Sequence, residues 1–141
     1  MKKILIVNSY YYKDISNNLV FSAKKRLLEV KFNLSIVNIP GAFEIPITIR
    51  KNINKFDGFI ALGCVIKGQT PHFDLLCSSL FNSILSLSIK YNKPIGNGVI
   101  TALNLNQGKQ RSKKTKSNKP NKGSEAANAV ISILKNGPKK I

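Results

Sequence analysis

The stretch Phe59-Ile60-Ala61-Leu62-Gly63-Cys64-Val65-Ile66-Lys67-Gly68-Gln69-Thr70-Pro71-His72-Phe73-Asp74 decides how the rest of this chain is read. Its first half is an apolar strand. Its second half is a glycine turn followed by helix-start chemistry, with Thr70 suited to the N-cap and Pro71 to the first helical position. Backbone amides at such a helix start point outward unpaired, and the macrodipole adds partial positive charge, so a phosphate-sized anion can sit there. The only histidine of the chain, His72, stands at the same spot, which places a proton-transfer group beside the anion.

Outward from this stretch, strand and helix alternate. Strands are predicted at Lys3 to Asn8, Leu34 to Ile39, Asp57 to Ile66 and Ile95 to Ala102, rich in Ile, Val and Leu without strict alternation. That is the pattern of parallel strands buried on both faces. Helices are predicted at Asp14 to Lys31, with Ile15, Leu19, Ala23, Leu27 and Val30 on one stripe, at Phe43 to Asn54 and at Pro71 to Asn92. A short helix near Asn104 to Ser112, a polar Lys/Ser/Asn loop and a last helix from Gly123 to Lys135 follow. Right-handed crossovers then give an α/β fold: a four-stranded parallel sheet with helices on both faces, in flavodoxin-like order 2-1-3-4. Ligands of such sheets bind beyond the carboxyl ends of the strands. Asn8 to Tyr12, Pro40 to Glu44 and Gly63 to His72 all fall there.

With 141 residues and 43% apolar content, one domain over residues 1–141 has enough material for a core. The chain starts on a strand with no signal-peptide pattern, and no apolar run approaches a membrane span, which predicts a soluble cytoplasmic protein without a membrane partner. Cys64 and Cys77 lack metal or CxxC spacing and read as buried small apolar residues. The net charge of +17 invites a nucleic-acid partner. However, lysines are scattered over every predicted helix, which weakens that reading. One cluster, Lys109, Arg111, Lys113, Lys114, Lys116, Lys119 and Lys122, contains no acid and no aromatic, so bases would find no stacking platform there.

Gly63 to Thr70 nearly matches the P-loop GxxxxGK[ST], but Gln69 stands where the phosphate-reaching lysine belongs. Nucleotide hydrolysis is therefore a poor reading, and a single phosphate held by the Gln69 and Thr70 amides fits better. His72 at the mouth of that site can move protons near neutral pH, and with no second histidine a metal site is disfavoured. Asp74 reads as an ordinary first-turn acid. Glu44, an early helical acid, also follows a turn of small residues able to meet a hydroxylated ligand. Tyr10, Tyr11 and Tyr12 either cover the sheet edge or lend one ring to a flat heterocycle. Lys122 either opens the last helix or serves an anionic or polar ligand.

Taken together, Pro40-Gly41-Ala42-Phe43-Glu44-Ile45-Pro46, Gly63 to Asp74, and Asn121-Lys122-Gly123-Ser124-Glu125-Ala126-Ala127 resemble the lumazine synthase family, in order and over nearly the whole chain. The resemblance implies a transferase of riboflavin biosynthesis. It would condense 5-amino-6-(D-ribitylamino)uracil with 3,4-dihydroxy-2-butanone 4-phosphate to 6,7-dimethyl-8-ribityllumazine, without metal or organic cofactor. By position, Tyr11 matches the aromatic that stacks on the pyrimidine, and Ala42, Phe43 and Glu44 match the ribityl-binding turn. Cys64, Val65 and Ile66 match the backbone lining of the heterocycle, Gln69 and Thr70 the phosphate site, and His72 the proton carrier. Asn97 occupies a position that is often phenylalanine in the family. Arg111 matches the phosphate-binding arginine and Lys122 the lysine of the NKG motif.

In the family these last three reach the pocket from a neighbouring subunit, so the resemblance implies a homo-oligomer with shared active sites. Two departures stand out. Leu103, Asn106 and Gly108 replace the usual acids and alanine, predicting a looser arginine helix. The basic stretch from Arg111 to Asn121 is longer than common, which favours a pentamer over a closed shell.

Besides the enzyme, the residues allow a non-catalytic binder of flavin-like or phosphorylated ligands, or RNA contact through the lysine loop. RNA contact predicts affinity that falls steeply with salt and disappears when Lys113, Lys114 and Lys116 are neutralised. Filter binding across a salt series checks this, and salt-insensitive or absent binding dismisses RNA as a partner.

Overall fold

The computed structural model describes residues 1–69, 71–114 and 121–141. Along the chain it has β1 (Lys3–Ser9), α1 (Lys13–Glu29), β2 (Asn33–Ile39), a 3-10 turn (Ala42–Glu44), α2 (Ile45–Lys51), β3 (Gly58–Ile66), α3 (His72–Tyr91), β4 (Ile95–Ala102), α4 (Leu105–Ser112) and α5 (Lys122–Lys135). The four strands form one sheet in the order β2-β1-β3-β4, every pair parallel, which is the α/β flavodoxin-like arrangement expected from the sequence.

Each face of the sheet has its own apolar layer. Ile4, Ile6, Ile60, Leu62 and Ile100 point towards Ile15, Leu19, Ala23 and Leu27 of α1 and Ala126, Ala127 and Val130 of α5. On the other face Leu5, Val7, Phe59, Ala61 and Val99 meet Ile45 and Ile49 of α2 and Leu80 and Ile84 of α3. Alternate residues of one strand thus serve opposite layers, which is why the central strands are apolar without interruption. β2 departs from that expectation. It lies at the edge, and Ile36 is 49% exposed, so Ile and Val content alone did not report burial there.

Two helix starts also differ from the sequence reading. The predicted helix from Phe43 begins as the 3-10 turn Ala42–Glu44 and becomes α-helical only at Ile45, with Pro46 in the first turn, where its missing N–H is no loss. α3 starts at His72 with Pro71 in the capping position, and Thr70 lies outside the described residues. Cys77 is half-buried rather than buried.

The chain does contain a run of membrane-spanning length and apolarity, contrary to expectation. α3 has 20 residues and is, by length and composition, apolar enough to cross a membrane. Ser78, Ser79, Ser83, Ser86 and Ser88 are spread among its leucines and obscure that character in the sequence. Only Leu80 and Ile84 of this helix are buried, while Leu75, Leu85 and Ile89 are exposed.

α1 and α5 approach so closely that a Cβ at Gly123 would strike the Leu19 carbonyl. Overpacking backbone against backbone has no flexible side chain to absorb it, so Gly123→Ala should cost about 1–3 kcal/mol. A thermal melt followed by circular dichroism should fall by roughly 5 °C; an unchanged midpoint would mean that the helices separate freely.

Candidate active site

β1 and β3 pair only as far as Asn8 and Leu62, whereas β3 and β4 stay paired to Ile66 and Ala102. The two central strands therefore part at their carboxyl ends, between neighbours whose crossovers run in opposite directions. This is where such sheets bind ligands. Gly63 lies against Ser9 at the parting, where an added methyl would come 2.9 Å from the Ser9 Cβ. The Ser16 hydroxyl donates to the buried Ser9 carbonyl at 2.6 Å, and the Tyr10 N–H donates to the Ile39 carbonyl at 3.1 Å, which fixes the path of the chain leaving β1.

That path presents Tyr11 to solvent, 75% exposed, edge-on to Tyr12 at 4.9 Å between ring centres. Tyr12 is half-buried, and burial, then Tyr11 and Cys64, push its phenol above the usual range. In the turn after β2, Ala42 is buried, Phe43 is 71% exposed and Glu44 is half-buried, its N–H donating to the Gly41 carbonyl at 3.2 Å. Along β3, Cys64 is buried, Val65 and Ile66 are half-buried, and Gln69 and His72 beyond them are exposed.

A second group of residues surrounds the free edge of β4. The Asn104 side chain accepts from the Gln107 N–H at 2.9 Å, and the Gln107 side chain accepts from the Leu103 N–H at 2.8 Å. This reciprocal cap makes α4 a formed helix despite Gly108, where the sequence predicted loosening. Gly108 is buried because α4 rests on β3: a methyl there would lie 3.0 Å from both the Cys64 Sγ and the Ile15 Cδ1. α4 then delivers Arg111, whose Nη1 donates to the Thr101 carbonyl at 2.6 Å. Two positions earlier on the edge, the Val99 N–H donates to the Asn97 Oδ1 at 3.1 Å.

α5 begins beside this edge. Asn121 caps it, accepting from the Ser124 N–H at 3.1 Å, and Lys122 pairs with Glu125 at 3.7 Å. A cavity of about 490 Å³ opens between these elements, with Phe81, Asn97, Thr101, Arg111, Lys122 and Glu125 among its walls. The structure thus brings Asn97, Arg111 and Lys122 together. Tyr11, Ala42, Phe43, Glu44, Cys64, Val65, Ile66, Gln69 and His72 do not line that cavity.

Among the described residues no three His, Cys, Asp or Glu side chains converge as a metal site would require. Within the basic cluster, the Lys114 ammonium lies 4.4 Å from the centre of the Phe21 ring, while Lys116 and Lys119 fall outside the described residues. Sequence reasoning missed two supports of the site. The Asn104–Gln107 cap was visible as a polar pair three residues apart. The role of Asn121 was not, because its partners lie far away in sequence.

Residues 1–136 match the family model described as 6,7-dimethyl-8-ribityllumazine synthase. Among curated proteins bearing that name, the one from Bartonella tribocorum is 34% identical over 135 residues, covering 94% of this chain and 89% of the relative. The one from Vesicomyosocius okutanii is 36% identical over 94% of this chain and 84% of its own length. For the Agrobacterium fabrum protein the identity is 32%, over 94% of each.

The Cys64 thiol combines burial with a nearby cation. Burial pushes it from an ordinary 9.0 up to about 11, and Arg111 opposes part of that rise. Because the folded chain holds this proton more tightly than the unfolded chain, the associated stability is complete below the unfolded value and is lost as pH rises through the folded one. Stability should therefore fall by about 2 kcal/mol between those two values. Urea titrations of wild type and Cys64→Ala across that window check it, and the same slope in both proteins would remove Cys64 as the cause.

Proposed function

The chain belongs to the 6,7-dimethyl-8-ribityllumazine synthase family, a family of enzymes of riboflavin biosynthesis, and from that premise we propose its reaction and the role of each site residue. It condenses 5-amino-6-(D-ribitylamino)uracil with 3,4-dihydroxy-2-butanone 4-phosphate, releasing 6,7-dimethyl-8-ribityllumazine, inorganic phosphate and water. The observation that carries the residue assignments is the gathering of Asn97, Arg111 and Lys122 around one cavity at the β4 edge, apart from His72 and the turn at Ala42 to Glu44.

The reaction begins when the 5-amino nitrogen attacks the butanone carbonyl carbon, and loss of water leaves an imine. Phosphate then departs with its electron pair. The C3 proton is removed as phosphate leaves, the resulting enol tautomerises to a ketone at C3, and the ribityl-bearing nitrogen closes the second ring on that new carbonyl with loss of a second water. A primary amine is already nucleophilic, so the protein needs no activated side-chain nucleophile. Its tasks are to hold two substrates in contact, to move protons and to stabilise the departing phosphate.

Tyr11 stacks on the pyrimidine, Ala42, Phe43 and Glu44 hold the ribityl chain, and Cys64, Val65 and Ile66 line the heterocycle through their backbone. Gln69 and Thr70 hold the phosphate with Arg111, His72 carries protons, and Lys122 and Asn97 complete the pocket. Since the two groups of residues surround different parts of one chain, each site is built from two neighbouring subunits. The exposed apolar side chains Ile47, Leu85 and Ile89 of α2 and α3 supply surface for such assembly, which we take to be a pentamer. The reading is of a cytoplasmic protein working on small molecules, without a cofactor.

Mixing purified protein with both substrates and following lumazine fluorescence tests the reaction directly, and no product above the uncatalysed rate would sink it. In the same assay His72→Ala should lower kcat by about tenfold to a hundredfold. A retained kcat would remove His72 from proton transfer.

A further inference from the structure

We infer that Asn121 is a positioning residue for the anion site: its side-chain amide fixes Arg111 and Lys122 in register with each other across the cavity at the β4 edge. The inference deepens the reading above, in which Arg111 holds the phosphate and Lys122 completes the same pocket.

Asn121 is 9% exposed and engages both amide donors and its carbonyl oxygen. Its Oδ1 accepts from the Ser124 N–H at 3.1 Å, which is ordinary capping of α5. Capping alone would be served equally well by serine or aspartate. The Nδ2 group does what neither of those could. It donates to the Ser112 carbonyl at 3.1 Å and to the Ser22 hydroxyl at 2.7 Å.

Ser112 is the last residue of α4, so its carbonyl is one that the helix cannot satisfy itself. One amide therefore caps the end of α4 and the start of α5. The residues next to these two caps are Arg111 and Lys122. The third bond ties the pair to α1 at Ser22, one turn beyond Leu19, against which Gly123 packs. Both ends of the segment from Ser112 to Asn121 are thus held to each other and to the body of the fold. Without the amide, Arg111 would keep its bond to Thr101 but lose the constraint that sets its distance from Lys122.

Asn121→Ser tests this, because serine keeps the α5 cap, adds no charge and removes both Nδ2 bonds. In steady-state kinetics the KM for 3,4-dihydroxy-2-butanone 4-phosphate should rise about tenfold while the KM for the pyrimidine stays within roughly twofold. Titration calorimetry with inorganic phosphate should show a matching loss of affinity. In an Arg111→Ala background the substitution should add less than about twofold, since the effect acts through Arg111. If Asn121→Ser does not fold, Ser22→Ala removes a single bond and should weaken phosphate binding about threefold.

Equal rises in both KM values, an undiminished effect without Arg111, unchanged phosphate affinity in the variants, or a wild type that takes up no phosphate would each overturn the inference. A wild type that forms no lumazine but shows the expected phosphate pattern would leave Asn121 in place and refute the reaction instead.

Discussion

The contact between the start of α5 and the middle of α1 is the constraint on which the β4-edge site depends. With no side chain at Gly123, the α5 backbone settles against the Leu19 carbonyl. Around that point the Arg26 Nε donates to the Asn128 Oδ1 at 2.6 Å and Asn121 reaches Ser22, so polar bonds on either side fix the rotation of one helix about the other. Everything α5 carries towards the sheet edge inherits this placement, including Lys122 and Glu125.

Arg111 is held in a manner suited to anion binding. Its anchor is the neutral Thr101 carbonyl, which orients the guanidinium without cancelling its charge. Lys122 by contrast pairs with Glu125 at 3.7 Å, a looser and partly exposed contact that solvent screens. The free edge of β4 is thereby covered as well, since Asn97 and Arg111 satisfy Val99 and Thr101 groups that another strand would otherwise seek. A chain with 23 basic and 6 acidic residues has no shortage of cations. What these two share is a place on the wall of one cavity, on helix ends joined through Asn121.

Much of this was legible in the sequence because parallel sheets write both of their faces into their strands. Ile95 to Ala102 was bounded correctly, and Gly63 followed by a helix start marked the carboxyl end where the central strands part. β2 was harder, since the same Ile and Val content serves a buried strand and an exposed edge, and only the pairing order separates them. The polar caps were half legible. Asn104 and Gln107 sit three apart, a spacing that local rules cover. Asn121 binds Ser22, 99 residues away, and no local rule reaches that far. Likewise, that Asn97, Arg111 and Lys122 share one cavity while His72 stands elsewhere follows from which strand ends the sheet, not from the residues themselves.

The seat of α4 on β3 has an evolutionary consequence. A methyl at position 108 would stand 3.0 Å from the Cys64 sulfur, so the two positions are not free to change independently. While a cysteine occupies position 64, glycine at 108 avoids that crowding and α4 forfeits the helix propensity that alanine would restore. A smaller residue at 64 would relieve the sulfur contact and leave only the Ile15 methyl to adjust. The order of substitutions then matters. On this geometry the same alanine at 108 is expected to be harmful beside cysteine at 64 and helpful beside a smaller residue there.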